Sequence, residues 1–175
     1  MPRMAIAIFT MALVFPLAAG TQSTTDFSGT WKMDVARSES AHQAIPIGPV
    51  TLVIKQTATE ISIETRRMSD GNKSEIHSET LTYKLDGSES TVAATDGTPI
   101  KCQARWEGTK LVTGTTRNIH GSTVTTTYVH GLNPKGNELT VHKTLTVQHG
   151  YQFDGAKNSG TGTDVFVRVK TAVAK

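Results

Sequence analysis

Cysteine is almost missing from this chain. Cys102 is the only one in 175 residues, so no disulfide can form within it. A domain of this size without bridges has to be held by its core. Aromatic residues are scarce as well, at 6%, with two tryptophans. After residue 20 no apolar run is long enough for a membrane helix. Basic residues form no stripe interleaved with aromatics. The formal charge is only +3, and Lys and Arg are scattered among Asp and Glu. That pattern argues against a nucleic-acid partner. There is no Gly-x-Ser-x-Gly elbow and no phosphate loop, hence no recognisable catalytic constellation. The six histidines include no His-x-x-His or Cys–His pair, so neither a metal nor another cofactor is expected.

What is present begins with a processing signal. Arg3 gives a short basic start, Ala5 to Pro16 form an apolar stretch, and Ala18, Ala19 and Gly20 supply the small residues a signal peptidase needs. The stretch is too short for an anchor, and polar residues follow at once. Residues 1–20 therefore read as a signal peptide cleaved near Ala19/Gly20, and 21–175 as one exported domain, secreted or periplasmic. Its length suits a single core.

The mature sequence is dominated by Thr, Val and Ile, residues that fit a pleated, half-buried surface. No convincing helical stripe interrupts them. Asp86-Gly87, Asp96-Gly97, Glu107-Gly108 and His120-Gly121 punctuate the chain at hairpin spacing. Strands are expected at Gly29–Val35, Val50–Gln56, Glu60–Arg67, Lys73–Leu85, Ser90–Ala94, Pro99–Glu107, Lys110–Ile119, Ser122–Leu132, Asn137–Gln148 and Thr163–Lys170. Alternation is clean in several of them. Ile100, Cys102, Ala104 and Trp106 share one face, and Leu139, Val141, Leu145 and Val147 share another. Sequential strands with one dry face curl and close, because closure removes exposed edges. The fold class is all-β, an antiparallel up-and-down meander barrel of eight to ten strands. Ala36–Pro49 is too short for a useful helix pair, Gly150–Gly162 reads as a flexible rim loop, and Thr171–Lys175 as a frayed tail.

One motif carries a resemblance. Phe27, Gly29, Trp31, Met33 and Val35 fall on one strand face, followed by Arg37-Ser38. Gly-x-Trp opening a first strand resembles the lipocalin and fatty-acid-binding-protein superfamily, the calycins, and is most similar to bacterial secreted lipocalin-like domains. The resemblance implies that Trp31 plugs the closed end of the barrel beside Gly29 and that an arginine of the last strand, Arg168, packs across it. The Arg-x-Tyr of fatty-acid-binding proteins is absent, since Arg168 is followed by Val169 and Lys170.

Polar residues inside apolar rows are the candidate site. Lys143 sits between Val141 and Leu145, and Tyr128 and His130 share a face with Val124. Arg117 shares one with Leu111 and Ile119, although Val112 and Thr116 compete for the inward side. Glu79 and His77 share a face with Leu81, Tyr83 and Leu85, and the first half of their strand is expected to run past the barrel into water. A buried charge needs a partner or a ligand. Lys143 either pairs internally, with Glu79 for example, or meets an acid that arrives from outside. Cys102, among apolar face-mates, is expected to be buried and inert. These features favour a barrel that binds a small, mainly apolar, acidic lipid or metabolite through Lys143, Tyr128, His130, Arg117 and Tyr83. The other readings are a filled-core barrel that binds or inhibits another protein and, last, a cavity isomerase or hydrolase.

Overall fold

The computed structural model describes residues 25–44, 46–69, 72–149 and 157–170; the expected signal peptide, residues 1–20, and the expected tail, residues 171–175, lie outside them. Ten strands follow one another: β1 (Gly29–Met33), β2 (Val50–Gln56), β3 (Glu60–Ser69), β4 (Asn72–Lys84), β5 (Ser90–Ala93), β6 (Pro99–Glu107), β7 (Lys110–Ile119), β8 (Ser122–Leu132), β9 (Glu138–His149) and β10 (Lys157–Arg168). Each pairs antiparallel with its neighbour in sequence, except β4 with β5, and β1 pairs with β10. The result is a nearly closed barrel whose sheet edges, β4 and β5, face each other across one seam. Across it the Ser90 hydroxyl donates to the Thr82 carbonyl at 2.9 Å.

Local chemistry explains the strand ends. His120 (φ 48°) and Gly121 (φ 79°) form the two-residue turn between β7 and β8, where both positions need a left-handed backbone that matches strand twist. In the β8–β9 turn the Asn133 side-chain oxygen accepts from the backbone N–H of Asn137 and Glu138.

Period-2 patterning sends one face of every strand inward. Phe27, Trp31, Ile61, Ile100, Leu111 and Leu139 are fully buried. Trp31 is held at two points. Its indole N–H donates to the Phe27 carbonyl at 3.0 Å, and the Arg168 guanidinium lies 4.1 Å from its ring. Arg168 in turn donates to the carbonyls of Gly136 and Ser28. Gly29 is required beside them. Its φ is +138°, and a Cβ there would stand 2.6 Å from an Arg168 nitrogen.

Three details differ from the sequence reading. β1 ends at Met33, and Val35 turns away into a 3-10 helix, 41% exposed. The segment after it is not bare loop. Two 3-10 helices, Val35–Arg37 and Glu39–His42, follow β1. They replace strand pairing along β10: Asp34 N–H donates to Val165 O, the Ser38 hydroxyl bonds both N–H and C=O of Val165, and Glu39 accepts from Thr163 N–H. β10 begins at Lys157, so part of the expected rim loop is strand. Gly160 and Gly162 are paired with Leu145 and Lys143 of β9. Residues 150–156 lie outside the described residues.

Candidate functional site

The inward faces of the strands enclose a cavity of about 180 Å3. Its lining includes the apolar Val50, Leu52, Ile63, Leu81, Val141 and Phe166. Charged and polar groups stand among them, several on the same strands. β9 brings Lys143, whose register partners are Tyr128 on β8 and Gly162 on β10. β8 adds His130, directly opposite Val141. β3 adds Arg67, β4 adds Glu79 and Tyr83, β7 adds Thr113 and β10 adds Asp164.

Both acids of this lining already have protein partners. The Arg117 guanidinium grips Glu79 with two bonds of 3.0 and 3.2 Å. Asp164 accepts from the Ser40 N–H at 3.0 Å and the Ser40 hydroxyl at 2.6 Å. The cations differ. Among the described residues the side chain of neither Lys143 nor Arg67 enters an ion pair or a hydrogen bond, and both line the cavity. Lys143 is half-buried and Arg67 is exposed.

Burial governs the neutral groups. It pushes the phenols of Tyr83 and Tyr128 above their ordinary values, and at Tyr128 the charges of Arg67 and Arg117 pull the other way. It pushes the His130 imidazole down to about 4, so the ring is neutral at physiological pH. One of its nitrogens, Nε2, lies 3.1 Å from the Thr113 hydroxyl. Cys102 is buried, with its thiol pushed up to about 11 by desolvation, so it stays protonated.

The structure brings Lys143, Tyr128, His130 and Tyr83 to one lining. Arg117 points inward but is committed to Glu79, the acid the sequence offers to Lys143. This corrects the pairing between Lys143 and Glu79 and places Glu79 in the cavity rather than in water; His77, two residues earlier, is exposed. Arg117 stays outside the cavity lining and closes the seam above β5, which is only four residues long. With both partners a quarter to a third exposed, the pair contributes on the order of 1 kcal/mol or less. Among the lining residues the sequence reading missed are Arg67 and Asp164. Arg67 continues the inward phase of Ile61 and Ile63, and Asp164 that of Phe166 and Arg168. Extending the first row by four residues and the second by two finds them.

No protein-family model matches the chain, and no curated protein is significantly similar to it in sequence. Solved structures do resemble it. A secretary abundant heat soluble protein from Ramazzottius varieornatus is 15% identical, with a TM-score of 0.52 over 85% of this chain and 98% of that one. The REP1-NXSQ fatty acid transporter is 16% identical, with a TM-score of 0.49 over 82% and 96%. Fatty-acid-binding protein 1 of Echinococcus granulosus is 15% identical, also with a TM-score of 0.49, over 82% and 98%. At such identities the likeness is one of fold: a calycin-type barrel.

Proposed function

We propose that this protein is an exported barrel that binds a small, mainly apolar carboxylic acid. The observation that carries the reading is the charge imbalance of the lining. Its two acids have protein partners, and its two cations have none among the described residues. A cation left without a partner beside a low-dielectric wall attracts an anion strongly. The aliphatic wall then supplies affinity for the rest of the molecule, at roughly 25 cal/mol per Å2 removed from water.

Cavity size sets the ligand. A cavity of about 150 Å3 takes a benzene, so 180 Å3 suits a molecule of on the order of six to ten heavy atoms. That is a medium-chain or small aromatic acid. Because space remains inside, a small-molecule site is favoured over a filled core that serves only as an interaction module.

Calorimetry with octanoate and 1-octanol, which are close in size, tests the reading. Octanoate should bind and octanol should bind more weakly. Lys143→Met keeps length and removes charge; it should weaken octanoate about tenfold or more, the order of a lost charged hydrogen bond, and spare octanol. Stability should be unchanged or higher, because no acid is stranded by the substitution. Equal effects on both ligands, or none, would remove Lys143 as the anchor.

The exported location is part of the proposal and rests on the composition of residues 1–20. Protein isolated from the cell envelope or medium should have an intact mass that begins at Gly20 or Thr21. A retained Met1 would refute it.

A further inference from the structure

The two acids of the cavity lining are satisfied in different ways. Glu79 is matched charge for charge by Arg117. Asp164 is not. Its carboxylate accepts from the N–H and the hydroxyl of Ser40, both neutral donors, and it enters no ion pair among the described residues. A carboxylate offers about four lone-pair positions, so it can take further donors. Asp164 lines the cavity and is half-buried rather than sealed. Its charge is felt across that space. Burial raises the Tyr128 phenol; Arg67 and Arg117 oppose the rise, and the negative charges of Glu79 and Asp164 add to it.

Lys143 carries the opposite charge beside it. On the paired strands β9 and β10, Lys143 lies opposite Gly162 and Asp164 opposite Val141. The two are diagonal neighbours on the inward face, with backbones roughly 7–8 Å apart. They form no ion pair with each other. Gly162, next to both, adds no side chain to that corner. Elsewhere in the lining the charges are settled. Glu79 and Arg117 cancel, and Arg67 is exposed, where water and salt screen it. What remains half-buried is one cation and one anion on adjacent strands, each open to a partner.

We propose that the cavity recognises a zwitterion, an α-amino acid with an apolar side chain, its carboxylate on Lys143 and its α-ammonium on Asp164. This rests on the acid-binding reading above and narrows it. In such a molecule the two charges flank a single carbon, a separation that suits protein groups on neighbouring strands that do not bond each other. The side chain then lies against Val141 and Phe166, the register partner of Asp164 and the next inward residue along β10. An ammonium drawn into a half-buried site without an acid would be strongly disfavoured, so Asp164 decides whether an amino acid is accepted or refused.

L-norleucine and 2-hydroxyhexanoate of the same configuration form a suitable pair. They are equal in size and differ only in the α-substituent, an ammonium against a hydroxyl; hexanoate carries neither. In calorimetry the wild-type protein should bind L-norleucine about tenfold or more tightly than 2-hydroxyhexanoate, the order of one charged hydrogen bond. In Asp164→Asn the amide oxygen still accepts from Ser40 but the charge is gone, and the ranking should reverse. If the wild-type protein binds 2-hydroxyhexanoate or hexanoate as tightly as L-norleucine or more so, or if Asp164→Asn leaves the ranking as it was, the ammonium site is wrong while the acid site stands. If none of the three binds the wild-type protein, both fall together.

Discussion

Replacing Trp31 with alanine is expected to lower the unfolding free energy by roughly 3–5 kcal/mol, the usual range for removing a core aromatic. Denaturant melts of the two proteins give the difference. The expectation lies at the upper end because the ring does more than fill space. Trp31 is fully buried, and its N–H satisfies the Phe27 carbonyl. Its face carries the Arg168 guanidinium, which ties the start of β1, through Ser28, to the β8–β9 turn, through Gly136. Alanine leaves a cavity, an unpaired carbonyl and a guanidinium without its ring. A desolvated cation–π contact alone is worth about 2 kcal/mol. A loss below about 1 kcal/mol, the range of ordinary surface changes, would mean that the closed end is held by something other than this cluster.

The barrel was legible because its information is local. Alternation fixes which side chains point inward, and Gly-containing turns fix where strands stop; both act over a few residues. The starts of β6, β7 and β8 follow from Pro99, Glu107-Gly108 and His120-Gly121 without any tertiary knowledge. β10 was only half legible. Gly160 and Gly162 weaken a strand on their own, and they are held here by pairing to β9. At Gly162 the capping segment packs near the strand, and a Cβ there would stand in ordinary contact, 3.5 Å from the Glu39 carboxylate. That segment was illegible for the same reason. Ser38 and Ser40 look like ordinary loop residues until β10 presents Val165 and Asp164 to them.

The site divides in the same way. Strand phase alone points Lys143, Tyr128 and His130 inward, since each lies in a row of apolar neighbours. Pairing is another matter. Whether Glu79 meets Lys143 or Arg117 depends on closure, which carries β4 round to the seam opposite β5 and within reach of Arg117 on β7. Arg117 wins, and so Lys143 has no acid partner among the described residues. The functional proposal depends on that outcome of closure, which no short stretch of sequence encodes.

Acid should destabilise the protein in two separable steps, and the first belongs to His130. Its ring is neutral in the fold because burial pushes the imidazole from 6.5 down to about 4. The unfolded chain takes up that proton near the ordinary value; the native state does so only near 4. The native state thus enjoys its full stability above about pH 6.5 and loses it as pH falls toward the folded value. A shift of this size corresponds to about 3 kcal/mol. The other described histidines, His42, His77, His120 and His142, are exposed. Carboxyls held down by local hydrogen bonds, such as Asp26 on Ser28 and Asp34 on Arg37, act only lower. Their stability is present above the ordinary carboxylate range and is lost beneath it. Among the described residues the window between about pH 6.5 and 4.5 is therefore assigned to one ring. Urea melts across it should show a steady fall for wild type and a nearly flat line for His130→Gln, which can still bond Thr113 but takes up no proton. A wild-type profile that is flat down to pH 4.5 would mean that the imidazole accepts its proton inside the fold, and so has an acceptor or a water beside Nδ1.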